Sequence, residues 1–162
     1  MITIKGELKR MIIETAYSSK GHYKTADWMN ISLTAYVAVP LITSLLQVFA
    51  TFTVGVDNTL SFLGFLFSGL ALNSVLSSNR DKANNCMESH VDLGNKYLEI
   101  YKELRVRLTD ADSITSEMLS GWQTKISELD NRTSTNKISL MGRWWSKLTI
   151  KEEMDLHWID EI

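Results

Sequence analysis

Charged residues are missing from one continuous third of the chain. No Asp, Glu, Lys, Arg or His lies between residues 28 and 56, and a second uncharged run extends from Asn58 to Asn79, so that Asp57 is the one charge between residues 28 and 79. About 20 apolar residues are enough for a helix to cross a bilayer core. The pattern predicts a hairpin of two transmembrane helices that turns at residues 55–58. The alternative is a helical hairpin in a soluble core, but soluble helices usually keep a charged face.

Basic residues flank the two uncharged runs and are absent from the turn between them. They are Lys5, Lys9, Arg10, Lys20 and Lys24 before the first run, and Arg80, Lys82, Lys96, Lys102, Arg105 and Arg107 after the second. Cytoplasmic flanks of membrane helices carry an excess of Lys and Arg. We therefore expect both termini to lie in the cytoplasm, with Trp28 at the membrane interface.

A stripe of apolar and small residues precedes the hairpin at helical spacing. Its members are Leu8, Met11, Ile12, Thr15, Ser19, Tyr23 and Ala26. Such spacing is typical of one face of an amphipathic helix, which we assign to residues 1–27. Gly21 favours a break between this helix and the first span, since glycine is a poor helix former.

A second stripe follows the hairpin, with alternating steps of four and three residues. It contains Leu76, Arg80, Ala83, Met87, His90, Gly94, Tyr97, Tyr101, Leu104 and Leu108. This spacing predicts a long helix with a coiled-coil-like seam, which ends at residues 109–112. We expect Ala83, Gly94, Tyr97 and Tyr101 to pack against another helix, including that of a second protomer.

The last part of the chain predicts two more helices. One begins near Thr115 and carries Met118, Trp122, Ile126 and Leu129, and the polar segment 130–137 follows as a turn. Thr149 and Glu152 have the spacing of a capping box, which predicts the start of a short C-terminal helix. No segment alternates as a strand does, so the fold class is all-α, with a cytoplasmic helical region over residues 80–162.

The first span has a polar side. At about 100° per residue, Asn30, Thr34, Pro40, Ser44, Gln47 and Thr51 fall on one face. Polar groups in a membrane usually face protein or water. They either line an aqueous pore in an assembly of several copies or form hydrogen bonds to the second span or to a neighbouring protomer. Pro40 interrupts helical hydrogen bonding and is either a hinge or a fixed bend.

Two further groups of residues indicate packing and interface contacts. Gly64 and Ser68 form a small-xxx-small pair, which permits close helix packing in lipid. Arg143, Trp144, Trp145 and Lys147 place two indole rings between cations. Tryptophan and basic residues favour lipid headgroups, although the two rings could instead cap the cytoplasmic helices.

The remaining composition favours neither catalysis nor nucleic-acid binding. The formal net charge is -2, whereas nucleic-acid-binding proteins usually carry a basic patch. Cys86 and His90 lie one helical turn apart but form only two ligands of a metal site. His22 and His157 belong to no evident acid–nucleophile arrangement, and no catalytic or phosphate-binding motif is present. We expect no enzyme activity and no cofactor.

The layout resembles the SLATT family, two-transmembrane effectors of bacterial conflict and antiphage systems. The resemblance covers roughly residues 7–129 and includes TAYSSKGHYKTADW in the first helix and RDKANNCMESHVDLGNKYLEIYKEL after the hairpin. It implies a homo-oligomeric effector that forms a pore in, or disrupts, the bacterial inner membrane. It also implies an operon-encoded partner, either a sensor, a nucleotide-signal synthase or a reverse transcriptase. The family offers no catalytic residues.

Other functions fit parts of this sequence. A non-conducting membrane anchor for a cytoplasmic partner shares every feature except the polar face of the first span. A holin-like protein fits less well because the cytoplasmic helical part is large. A membrane enzyme lacks catalytic groups. The sequence thus predicts a pore-forming membrane effector, with the anchor as the alternative.

Overall fold

Over the residues that it describes, a computed structural model shows four α-helices and no strand. These residues are 4–54, 58–110, 113–133 and 136–153; between residues 36 and 80 the side chains are described at 38, 42, 45, 49, 66 and 69. The helices are α1 (Ile4–Val54), α2 (Asn58–Leu108), α3 (Ser116–Thr133) and α4 (Leu140–Glu153). The predicted all-α class is confirmed.

The chain divides into two compact units. The first unit combines Met1–Trp28 with Cys86–Ile162, and the second contains Met29–Asn85. Within the part of the chain that the structure describes, no helix is both long enough and apolar enough to cross a membrane. The transmembrane hairpin therefore stays a prediction.

The core of the first unit is built on the two predicted stripes. The start of α1 and the end of α2 run antiparallel, because Ser19 contacts Gly94 and His22 contacts His90. Six of the seven predicted positions on α1 are buried, and Tyr23 is half-buried. The core cluster is apolar and includes Leu8, Met11, Ile12, Ala16, Leu93, Tyr97, Ile100, Tyr101 and Leu104. The amphipathic helix is confirmed, but α1 continues through Gly21 without the expected break.

Helix α3 closes one side of this core. Thr115 caps its first turn, since the Thr115 hydroxyl accepts a hydrogen bond from the N–H of Met118 at 3.3 Å. Leu119, Trp122, Ile126 and Leu129 are buried. The predicted start and apolar face are confirmed. The helix continues to Thr133, however, into the segment predicted as a turn.

Helix α4 begins at Leu140, so the predicted helix start at Thr149 is wrong. Ser139 is the actual cap: its side-chain oxygen accepts a hydrogen bond from the N–H of Gly142 at 2.9 Å. The Thr149 hydroxyl instead donates to the carbonyl of Trp145 at 3.3 Å, inside the helix. The helix lies against α1, where the N–H of Ser139 donates to the Thr25 hydroxyl at 3.1 Å.

Candidate functional site

The second unit exposes large apolar side chains along one face of α1. Ile31, Ile42, Leu45 and Phe49 are between 47% and 70% exposed. With Ala35 and Ala38 they follow alternating steps of four and three residues, so all six positions lie on one side of the helix. A continuous exposed apolar face usually indicates a protein–protein or membrane interaction site.

The polar positions of the predicted first span are described at two places. Asn30 and Thr34 are exposed. The Thr34 hydroxyl donates to the backbone carbonyl of Asn30 at 2.9 Å. A threonine that bonds to the preceding helical turn satisfies its donor without water or a partner helix. The predicted roles of Ser44, Gln47 and Thr51 as pore-lining residues, of Pro40 as a hinge, and of Gly64 and Ser68 in packing concern side chains outside the described residues.

Three members of the predicted seam on α2 make contacts inside their own chain. A Cβ atom built on Gly94 would lie 3.2 Å from the ring of Tyr23, and the Gly94 carbonyl accepts a hydrogen bond from the Ser19 hydroxyl. Tyr97 and Tyr101 are buried in the core of the first unit. Ala83 belongs to the second unit and is half-buried. The seam thus contributes to packing between α1 and α2.

The two adjacent tryptophans of α4 have different environments. Trp144 is 59% exposed and lies beside exposed Leu140 and Leu148. Trp145 is half-buried, and the ammonium of Lys24 lies 4.8 Å from its ring centroid, a cation–π contact. The cations Arg143 and Lys147 are exposed, as is Trp28 on α1. One indole therefore packs on the helical unit and the other extends outward from it.

A pair of buried histidines lies where α1 and α2 cross. His22 and His90 are 0% and 3% exposed, and their Nδ1 atoms lie 2.8 Å apart, which requires one of them to donate a hydrogen bond to the other. The ring of Tyr97 stacks on His22 at a centroid distance of 5.8 Å. The Tyr97 hydroxyl donates to a carboxylate oxygen of Asp130.

Burial keeps both imidazoles neutral. Burial, and to a smaller extent the neighbouring His90, lower the pKa of His22 from 6.5 to about 4. Burial also lowers the pKa of His90. Desolvation disfavours the charged form of a buried group. The pair is therefore uncharged at neutral pH.

Sequence reasoning missed this pair because it assessed each histidine by its neighbours in the chain. The signal was nonetheless present. His90 is a member of the second stripe, and His22 lies three residues after Ser19 on the buried face of α1. Two antiparallel stripes that pack together bring such positions into contact. A polar residue on each of the facing stripes thus predicts a buried polar pair.

The described residues contain no group of three or more His, Cys, Asp or Glu side chains that could hold a metal ion. Cys86, the other member of the metal-ligand pair considered above, is half-buried and has a free thiol. No residue set in the described part of the chain therefore fits a metal centre.

Comparison with known proteins gives no relative. No protein-family model, no curated protein and no solved structure matches the chain.

Proposed function

We propose that the chain is an oligomeric effector of a bacterial antiphage defence system that acts on the inner membrane. The two uncharged helical segments would cross the membrane as a hairpin, with both termini in the cytoplasm. The first unit would then be a cytoplasmic helical domain. Its operon-encoded partner would be a sensor, a nucleotide-signal synthase or a reverse transcriptase, as the resemblance to the SLATT family implies.

The observation that carries this proposal is the exposed apolar face of α1. Ile31, Ile42 and Leu45 are about half exposed in a segment that has no charge between residues 28 and 56. Full burial of a Leu or Ile side chain contributes roughly 1.5–3 kcal/mol, so leaving several of them in water is costly. Hydrocarbon around this face removes that cost. The absence of charge around the whole helix favours lipid over a one-sided protein contact.

Pore formation requires several copies of the chain. Two helices packed together enclose no lumen, whereas a ring of hairpins can. In such a ring the polar face of the first span, from Asn30 to Thr51, would turn inward, because polar groups in a membrane face protein or water. The apolar face at Ile42 and Leu45 would turn toward lipid.

Cysteine accessibility tests the membrane position directly. In a Cys86→Ala background, Ile42→Cys and Val106→Cys place single thiols at positions that are 56% and 70% exposed in the chain. In membranes with both faces open to reagent, we expect a maleimide to label position 106 quickly and position 42 slowly, because thiols in hydrocarbon do not ionise. The two positions provide a matched control, since both are exposed apolar residues on long helices. Equal labelling of both positions in intact membranes would contradict a transmembrane first span.

The alternative, a non-conducting membrane anchor, is favoured by the bond between Thr34 and Asn30. It accounts for the hydroxyl of one predicted pore-lining residue without any water path. The anchor and the pore share the same topology, so labelling does not separate them. Conductance measurements on the purified chain in a planar bilayer separate the two. An anchor gives no conductance, even when its partner is bound.

A further inference from the structure

Helix α4 exposes an apolar surface that the rest of the first unit does not cover. The exposed apolar side chains are Leu140 (83%), Met141 (38%), Trp144 (59%) and Leu148 (62%). At about 100° per residue these four positions lie within an arc of roughly 100°, so they form one continuous surface, the α4 face. The opposite side of the helix, at Gly142, Ser146 and Ile150, is buried.

Helix α3 of the same unit shows how this chain builds a helix that faces water. Every exposed position of α3 holds a polar residue, a charged residue or Gly121, for example Gln123, Ser127 and Glu128. Both helices bury their other side, so packing on the core does not account for the apolar residues on the outer side of α4. An exposed apolar surface rimmed by polar residues usually marks an interaction site. The α4 face therefore has the composition of a contact surface.

Cations lie along one edge of the α4 face. Arg143 and Lys147 are exposed, and at about 100° per residue both lie next to Leu140 on the helix surface. No Asp or Glu lies between residues 131 and 151, in a chain whose formal net charge is -2. The same segment holds five basic residues, Arg132, Lys137, Arg143, Lys147 and Lys151. An apolar surface in a cationic segment is complementary to a surface that is apolar and anionic.

We infer that the α4 face binds the surface of a bilayer that contains anionic phospholipids. Its apolar side chains enter the boundary between headgroups and acyl chains, and the indole of Trp144 lies at the level of the headgroups. Arg143 and Lys147 bind headgroup phosphates. Tryptophan and basic residues both favour this region, and helices that combine apolar residues with Lys and Arg bind there.

The position of α4 along α1 favours lipid over another partner. The backbone N–H of Ser139, just before α4, donates to the Thr25 hydroxyl. Thr25 precedes Trp28, where the first uncharged run begins, by three residues, which is about 4.5 Å of helix. If this run crosses the membrane, the contact at Thr25 lies within about one helical turn of the bilayer surface. In this respect the inference rests on the proposed function, but α4 lies outside residues 7–129, which carry the family resemblance.

Nitroxide labels on the full chain in nanodiscs test this contact. In a Cys86→Ala background, Leu140→Cys places the label on the α4 face and Ser127→Cys places it on the exposed side of α3. Electron paramagnetic resonance measures how often each label collides with oxygen, which concentrates in lipid, and with a water-soluble nickel chelate. In nanodiscs of phosphatidylcholine and phosphatidylglycerol, we expect oxygen collisions to dominate at position 140 and nickel collisions to dominate at position 127.

The two cations should make the contact depend on lipid charge. Because each basic residue near an anionic surface strengthens binding roughly fivefold, Arg143→Gln/Lys147→Gln should lower the ratio of lipid-bound to water-exposed label at position 140 about 25-fold. Nanodiscs of phosphatidylcholine alone should lower it similarly. The matched control is Lys102→Gln/Arg107→Gln, which removes two exposed cations of α2 and should leave the ratio unchanged.

A third label, at Ile42→Cys in the predicted first span, separates this inference from the proposed function. If position 42 lies in lipid while position 140 stays in water, the inference is overturned and the proposed span stands. If position 42 lies in water, the span fails, whereas lipid contact at position 140 would still support the α4 face as a membrane contact. The inference is also overturned if the control pair weakens lipid contact as much as the α4 pair. Dipolar coupling between labels at position 140 in place of lipid contact would overturn it too, because a second copy of the chain would then cover the face.

Discussion

At the scale of single residues, the contact between His22 and His90 disfavours protonation of both rings where α1 and α2 cross. Their Nδ1 atoms lie 2.8 Å apart and share one proton. Protonation of both rings would remove that hydrogen bond and place two positive charges in contact inside a core. Tyr97 covers one ring and Asp130 binds the Tyr97 hydroxyl rather than either imidazole, so no carboxylate in the described part of the chain is hydrogen-bonded to the pair to compensate.

The stability of the first unit should consequently fall in mild acid. The pKa of His22 is about 4 in the folded chain and 6.5 in the unfolded chain, so the unfolded chain binds more protons between these values. Stability is then constant above pH 6.5 and decreases as the pH falls toward 4. At about 1.4 kcal/mol per pKa unit, His22 contributes a loss of about 2 kcal/mol between pH 7 and pH 5.

Urea unfolding followed by circular dichroism at pH 7, 6 and 5 measures this loss. The variant His22→Gln removes the titrating group and should flatten most of the decrease, leaving the smaller contribution of His90. A decrease that is equally steep in His22→Gln would assign the acid sensitivity to other groups.

At the scale of elements, the docking of α4 on α1 requires a residue without a side chain, glycine, at position 142. A Cβ atom at Gly142 would lie 2.9 Å from the carbonyl oxygen of Gly21 and 3.0 Å from the backbone nitrogen of Thr25, and it would also meet the Thr25 hydroxyl. The first two are backbone atoms, which cannot rotate away. The two helices therefore approach closely at Gly142.

Gly142→Ala should destabilise the first unit by about 1–3 kcal/mol, the usual cost of overpacking. Gly121→Ala on α3 is the matched control, because a Cβ atom there meets nothing within 4 Å and alanine is the better helix former. It should stabilise the chain by up to about 1 kcal/mol. Unfolding free energies of the two variants provide the comparison, and equal effects of both substitutions would rule out close contact at Gly142.

Helix positions could be predicted where they depend on residues that are close together in the sequence. The stripe from Leu8 to Ala26 and the helix start near Thr115 are properties of residues close together in the sequence, and the structure confirms both. The start of α4 was not predictable in this way. Ser139 caps a helix whose first turn contains Gly142. A glycine is needed at that position only because α1 lies close to it. The Thr149 and Glu152 spacing fits a cap by sequence, but tertiary packing extends the helix through it.

At the scale of the whole molecule, a stripe at helical spacing does not say which helix will cover it. By sequence, Gly94, Tyr97 and Tyr101 fit a contact between protomers as well as a contact within one chain. The structure places Gly94 and Tyr97 against α1 of the same chain and buries Tyr101 in the core of the first unit. The contact between His22 and His90 was hidden for the same reason, since the two residues are far apart in the sequence. The proposed assembly would then use other surfaces, of which the second unit offers the exposed face around Ile42.

Whether such an assembly conducts depends on the polar side of the first span, and two substitutions there separate a pore from an anchor. Gln47→Leu removes an amide with donors and acceptors, while Thr34→Val removes a hydroxyl that is already bonded to the Asn30 carbonyl. If the polar face lines water, Gln47→Leu should reduce dye release from liposomes several-fold, because the amide replaces part of the hydration that a permeating solute loses. Thr34→Val should change release little, since its donor is satisfied inside the helix. Full dye release from Gln47→Leu, at equal amounts of inserted protein, would show that Gln47 does not line the pore. If the unmodified chain releases no dye with its partner present, the chain is a non-conducting anchor.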